Sequence, residues 1–284
     1  MELACLSLVC MVIFGAQWGI VRARRPDLLV LFTDVGQGDC TLIQTAEGHT
    51  VLIDCGTPEA GDKVVVPMLD WMGIRRIDLC LITHGHADHA GGYDVVSDGV
   101  VIDRVGLSGA ETEGVDEEED LSDKVVCTAR EAGTDVIQLR SGDALQVGAS
   151  TRLDILHPSS GDAPGNESSL VILVSCGAFR ILVPGDAGCD SEWKMLRMGV
   201  LPDVDVLRVG HHGSESASGS GFLERIRPAL SVVSVGNNRY GHPADETLER
   251  LAECGSTVYR TDRDGTVTLT IRGDKLTVGR ALGG

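Results

Sequence analysis

Past the first 25 positions, apolar residues fall into short β-branched runs separated by glycine-rich turns and by segments of helical period. Runs of about four to eight apolar residues bounded by Gly, Asp or Asn read as strands. By that rule "LLVLFT" (28–33), "TLIQ" (41–44) and "TVLI" (50–53) form an antiparallel opening, joined through "DVGQGD" and "AEGH". "DKVVVPMLDWMG" has helical spacing and predicts a helix ending at Gly73, with Trp71 and Met72 in the core. A strand is expected at 77–83, another at 101–107, a helix near 120–132, and strands near 134–138 and 151–156. The second half repeats the style without an exact repeat. "SLVILVSC" and "RILVPG" predict a hairpin, "DVDVLRVG" and "ALSVVSVG" buried strands, and "DETLERLAECG" an amphipathic helix stopped by Gly255. Short strands alternating with helices predict an α/β architecture. No linker forces a division, so residues 26–284 are expected to form one domain.

Ahead of that domain, residues 3–21 are apolar and lead into Arg22, Arg24 and Arg25. The run is close to the roughly 20 apolar residues that span a bilayer. Val21 and Ala23 are small residues of the kind found before signal cleavage, although the basic start of a signal peptide is missing. Residues 1–25 are therefore expected to be a signal peptide or a membrane anchor, which favours a secreted or membrane-anchored domain outside the cytoplasm. An uncleaved anchor that obeys the positive-inside tendency would leave the domain on the cytoplasmic face instead.

Charge narrows the partners. With a formal net charge of −18 and a pI near 4.7, the molecular field repels polyanions. That excludes non-specific nucleic-acid binding through a broad basic face, so a phosphate-bearing substrate must be held locally, by metal or by a few arginines. The acidic run "AETEGVDEEED" (110–120) reads as a solvated loop. Beyond the leader, cysteines 40, 55, 80, 127, 176, 189 and 254 show no zinc or disulfide spacing. Cys80 and Cys176 interrupt strand-like runs and read as small buried hydrophobes.

The chemistry concentrates in "LITHGHADHAGG" (81–92), where His84, His86, Asp88 and His89 follow a strand. His84 and His86 can turn toward one ion, while Asp88 and His89, on the next turn of chain, can face a second. Imidazole with carboxylate suits zinc, iron or manganese. Other segments deliver donors at equivalent places: "TVLID" ends in Asp54, "RILVPGD" in Asp186, and "DVLRVGHH" in His211 and His212. Ligands gathered at strand ends from distant parts of a chain are how open α/β sheets build sites. Three further candidates accompany them. The Gly/Ser-rich "HHGSESASGSG" offers Ser214 as a phosphate contact or reads as a plain connector. "NNRYGHP" offers Arg239 and His242 as an anion clamp or proton donor, and the turn "DVGQGD" brings Asp39 near the metal.

"THGHADHAGG" resembles the H-x-H-x-D-H loop of the metallo-β-lactamase-fold hydrolases. "FTDVGQGDCTLIQTAEGHTVLIDCG", "ILVPGDA", "DVLRVGHHGS" and "NNRYGHP" resemble the C-terminal hydrolase domain of the ComEC family of competence DNA-uptake proteins and its stand-alone relatives. The resemblance implies a four-layer αβ/βα sandwich with two divalent ions at one edge; zinc is the expected metal for both, with manganese as the alternative. By the same resemblance His84 and His86 would bind the first ion, Asp88 and His89 the second, and Asp186 both. His212 would complete the second site and leave His211 to touch substrate, while Asp54 would orient a ligand histidine. The third motif departs from the pattern: where many members carry a histidine this chain has Asn166, with His157 well before it, so a one-metal centre stays open.

The implied activity is metal-dependent hydrolysis of a phosphoester, in particular a phosphodiester and a nuclease substrate during DNA uptake. The ions would activate water to hydroxide as nucleophile, with Asp88 as proton acceptor. The alternative from another class is a non-catalytic metal-binding accessory module of an envelope or DNA-uptake complex.

Overall fold

The computed structural model describes residues 25–110, 120–159, 162 and 165–281. The leader and nearly all of the acidic run lie outside the described residues. Among the described residues no helix is long and apolar enough to cross a membrane.

Two sheets form the centre. The first has eight strands in the spatial order Lys275–Arg280, Val267–Arg272, Leu28–Phe32, Thr41–Thr45, Thr50–Ile53, Leu79–Ile82, Arg104–Ser108 and Asp135–Leu139. The second has seven, ordered Thr257–Arg260, Leu230–Val233, Val206–Arg208, Phe179–Val183, Val171–Cys176, Thr151–His157 and Ala144–Val147. In each sheet an antiparallel half gives way to a parallel one. Leu28–Phe32, Thr41–Thr45 and Thr50–Ile53 pair antiparallel as expected, and Thr50–Ile53 then pairs parallel with Leu79–Ile82. The expected hairpin of Val171–Cys176 with Phe179–Val183 forms, and Phe179–Val183, Val206–Arg208, Leu230–Val233 and Thr257–Arg260 run parallel.

Alternation along the strands builds the layers. Leu28, Val30, Phe32, Ile43, Val51 and Ile53 face Leu153, Ile155, Ile172, Val174, Ile181 and Val183 across the interior of the sandwich. Leu42, Leu52, Cys80 and Ile82 point the other way and bury the helices carrying Val65, Leu69, Tyr93, Val96 and Val125. On the outer face of the second sheet, Leu173, Leu182, Leu207 and Val233 pack on Met195, Phe222, Leu223, Ile226 and Leu251 from three helices. The order is therefore helix, sheet, sheet, helix, the four layers expected. Cys80 and Cys176 are buried in strands, as expected of small hydrophobes.

Several local expectations need correction. The helix expected over 62–73 begins earlier, at Pro58–Ala60, because Thr57 caps it by accepting the Ala60 N–H and proline suits the first helical position. It continues through a π turn at Gly61–Val65 into Val66–Trp71. Trp71 is not core: it is 86% exposed, because the helix buries Leu69 and a step of two residues turns a side chain about 200° around the axis. The strands expected at 77–83 and 101–107 each break in two. Arg76–Ile77 and Val101–Ile102 pair with each other in a separate small ladder.

Candidate metal centre

The loops that leave the parallel strands converge at one edge of the sandwich. Asp54 follows Thr50–Ile53, His84 to His89 follow Leu79–Ile82, Asp186 follows Phe179–Val183, and His211 and His212 follow Val206–Arg208. Backbone hydrogen bonds stitch these loops together: Asp39 N–H donates to Asp88 O at 3.0 Å, Cys55 N–H to His89 O at 2.8 Å, and His211 N–H to Gly185 O at 3.1 Å. The approach at Gly38 is so close that a Cβ there would stand 2.5 Å from Asp88 O, and its φ of +138° adds a second demand for glycine.

Asp186 is the hub. Its Oδ2 lies 3.9 Å from His84 Nε2, 3.8 Å from His211 Nε2 and 3.7 Å from His212 Nε2. Its Oδ1 lies 3.3 Å from His89 Nε2. Asp88 Oδ2 is 3.2 Å from His212 Nε2, and the His86 ring stands edge-on to His84 with centroids 4.6 Å apart. Asp186, His84, His89 and His212 are buried, whereas His211 keeps a quarter of its side chain in solvent. The structure thus brings His84, His86, Asp88, His89, Asp186, His211 and His212 to one place.

The neighbours of the imidazoles decide which nitrogen is free. His89 Nδ1 is 2.9 Å from Asp54 Oδ2, so it carries the proton that the carboxylate accepts. Asp54 also accepts the Thr83 N–H and hydroxyl, both at 2.8 Å, which holds it fixed behind the ring. His212 Nδ1 is 2.9 Å from the carbonyl oxygen of Ser234 and so donates there. Both rings are left with an Nε2 lone pair aimed at Asp186, the tautomer a metal ligand requires.

These residues fit a cation. His84 Nε2, His89 Nε2 and Asp186 Oδ1 are buried and make no hydrogen bond of normal geometry among the described residues. An unsatisfied buried polar atom costs about 1–3 kcal/mol, and three around one carboxylate mark a place built for a further group. The field has the right sign. Burial alone would lower the pKa of His89, yet the Asp186 and Asp54 carboxylates raise it well above the ordinary value. Burial opposes ionisation of Asp186, but His89 and His212 hold its pKa well below the usual range. The site therefore draws positive charge, and a divalent ion bound there would take the place of a proton on His89.

Asp39, buried beside the same cluster, is otherwise engaged. It belongs to the group Asp39, His89, Asp186 and His212, whose donor atoms all lie within 4.8 Å of one another. However, it approaches His89 at Nδ1, 3.6 Å away, on the Asp54 side of the ring. Its two oxygens are taken by the buried guanidinium of Arg208, Nε donating to Oδ1 at 2.9 Å and Nη2 pairing with Oδ2. Arg208 Nη1 also donates to Gly185 O at 2.7 Å and lies 3.8 Å from Asp186 Oδ1. Burial lowers the Arg208 pKa to about 9, which still leaves the guanidinium charged at neutral pH. Sequence reasoning missed Arg208. Its signal was a cation inside the apolar run "DVLRVG".

The substrate-side candidates divide. The His242 ring is 5.6 Å from His211, stacks on the exposed Tyr240 at 5.8 Å, and leaves a buried Nδ1 without a partner. Burial and then the charges of His211 and His212 lower its pKa. Asn238 organises that turn, accepting the Tyr240 and His242 N–H groups at 3.0 Å and donating to Gly236 O and His242 O. Arg239 beside it is exposed and makes no ion pair among the described residues. Ser214 turns its hydroxyl into its own loop, 3.0 Å from the Ser216 hydroxyl. That loop is also no plain connector: Glu192 accepts the Ser218 and Gly219 N–H groups, and Arg250 donates to Ser218 O and Ala217 O. Asn166, from the departing third motif, places Nδ2 3.4 Å from His211 Nε2. His157 faces away, bonded through Nε2 to Glu167 O at 2.7 Å.

Comparison with known proteins agrees with this geometry. ComE operon protein 3 of Bacillus subtilis strain 168 is 32% identical over 255 residues, covering 82% of this chain and 32% of that protein. Competence protein ComA of Neisseria gonorrhoeae is 30% identical over 235 residues, covering 82% of this chain and 30% of its own length. The chain thus spans about a third of the length of these relatives, and the ComEC-like resemblance of its motifs is matched by them. Among solved structures, the metallo-beta-lactamase fold protein YhfI from Bacillus subtilis superposes with a TM-score of 0.57 at 11% identity, over 89% of this chain and all of that one. CmlA, a diiron beta-hydroxylase from Streptomyces venezuelae, gives 0.58 at 15% identity, over 87% of this chain and 54% of that one, which again shows the fold alone. The model of the family described as the metallo-beta-lactamase superfamily matches residues 33–236, and the chain belongs to that superfamily.

Proposed function

We propose that this protein is a metal-dependent hydrolase of phosphodiester bonds, with nucleic acid as the substrate class. The observation that supports it most is the convergence of four imidazole Nε2 atoms on the single buried carboxylate of Asp186. His84, His86, Asp88, His89, Asp186 and His212 would hold the divalent ions, zinc or alternatively manganese, which would supply a Lewis acid and activate water near neutral pH. The protein's own groups do the rest. Asp88, half-buried with Oδ2 3.2 Å from His212 Nε2, stands where it accepts the proton of the attacking water. His242, beside His211, donates one to the leaving oxygen, and the exposed Arg239 holds the substrate phosphate. Local binding of this kind suits a chain of net charge −18, whose surface repels a polyanion. The names of the relatives, a competence protein among them, support nucleic acid over other phosphoesters. The leader supports placement of the domain outside the cytoplasm.

The test is turnover of bis(4-nitrophenyl) phosphate and of single-stranded DNA by the purified full chain, before and after chelation. Cleavage that chelation abolishes and zinc or manganese restores is expected. Full metal loading without cleavage of either substrate would defeat the reading in favour of a binding module.

A further inference from the structure

The third motif leaves one question. Asn166 stands where a ligand histidine is expected, so the ion held by His84 and His86 would be one protein donor short. The structure brings another imidazole to that place. His211 Nε2 lies 3.4 Å from Asn166 Nδ2 and 3.8 Å from Asp186 Oδ2, the same carboxylate oxygen that His84 Nε2 approaches at 3.9 Å. Donors bonded to a common zinc at about 2.1 Å, with angles between about 110° and 130°, lie about 3.4–3.8 Å apart. The Asn166 contact is at the long end of hydrogen bonding, a weak claim on the Nε2 lone pair that a metal bond would outcompete.

The backbone is shaped to make this approach. His211 and His212 have φ of 50° and 53°, a left-handed conformation that residues with a Cβ seldom adopt. Consecutive left-handed residues turn both imidazoles onto Asp186, which an extended chain cannot do because it sends successive side chains to opposite faces. The His211 N–H donates to Gly185 O, which ties this conformation to the residue preceding Asp186. Strain of this kind persists where the surroundings over-determine it, and it clusters at functional sites.

We infer that His211 is a protein ligand of the ion held by His84 and His86, taking the position that Asn166 does not fill, rather than a substrate contact. The tandem histidines are then divided between the two ions, His211 to the first and His212 to the second, with Asp186 shared. This rests on the metal-binding part of the proposed function and is independent of the substrate.

The experiment is zinc binding by the full chain, stripped with chelator and titrated by competition, alongside His211→Ala and His211→Asn. Asparagine tolerates the left-handed backbone and keeps the variant falsifiable should alanine disturb folding. Circular dichroism of the metal-free proteins checks that each is folded. Two zinc ions are expected for the wild type. Each variant is expected to keep one at unchanged affinity and to bind the other more weakly, by more than the 10–100-fold typical of outer-sphere losses. Variants that hold zinc in wild-type number and at wild-type affinity would overturn the inference, whether that number is two or one. A wild type that binds no zinc would instead bring down the proposed function.

Discussion

Replacing Asp54 with asparagine should weaken metal binding without unfolding the protein. Asp54 touches no candidate substrate position. It is 1% exposed and spends its two oxygens on the Thr83 N–H, the Thr83 hydroxyl and His89 Nδ1. Its φ of 60° suits asparagine as well as aspartate, so the backbone is not disturbed. With the amide nitrogen toward His89, the ring must accept at Nδ1 and move its proton to Nε2, where it meets Asp186 instead of an ion. With the amide reversed, two donors face each other at Thr83 N–H, leaving a buried donor unsatisfied at about 1–3 kcal/mol. Removing an outer partner of a ligand histidine typically costs 10–100-fold in metal affinity, about 1.4–2.8 kcal/mol. Chelator competition on the folded metal-free variant reads this directly. An Asp54→Asn protein that binds zinc as tightly as wild type would refute the claim that Asp54 sets the tautomer of His89.

Asp186→Ala should lose both metal and hydrolysis, whereas His242→Ala should keep its metal and lose about 10²–10⁴-fold in turnover, the usual worth of a general acid. Paired metal analysis and phosphodiester assays separate the two, and a metal-free His242→Ala protein would make His242 a ligand. Arg208→Met should destabilise the fold by about 3–5 kcal/mol by stranding the buried carboxylate of Asp39, measured by denaturant unfolding of the metal-free protein. A change under about 1 kcal/mol would contradict that pairing. Glu192, which grips the Ser218 and Gly219 N–H groups, has its pKa pushed up to about 7 by burial. The folded state then holds this proton more tightly than the unfolded state. Stability relative to Glu192→Gln should therefore fall as pH rises from about 4.5 to about 7, by at most about 1.4 kcal/mol per pH unit. Parallel pH profiles of the two proteins would count against the burial argument.

The parts of the fold that alternate cleanly were legible before the structure. Leu28, Val30 and Phe32 face one way along their strand, and the Gly-bounded runs ending at Asp54, Asp186 and His211 mark three strand ends at the site. Clean alternation was not always enough: Val267–Arg272 alternates buried apolar residues with threonines and was still missed, and its partner Lys275–Arg280 is mostly exposed at the sheet edge. The helix Cys189–Met198 was also missed; it buries Ser191, Glu192 and Met195, a face whose polarity hides its contact with the loop at Ser218. At the site the donors were legible as residue types at strand ends. What spacing cannot show is direction. The Asp39 carboxylate turns to Arg208, the Ser214 hydroxyl turns to Ser216, and only the left-handed backbone at His211 and His212 reveals that both rings reach one carboxylate.

The most direct test of the account is zinc content and phosphodiester turnover measured on the same samples of the full chain as metal is added back after stripping. Turnover that rises with bound zinc and levels off at two ions per chain is the predicted result. A folded protein that takes up no zinc, or one whose turnover is the same with and without it, would contradict the account.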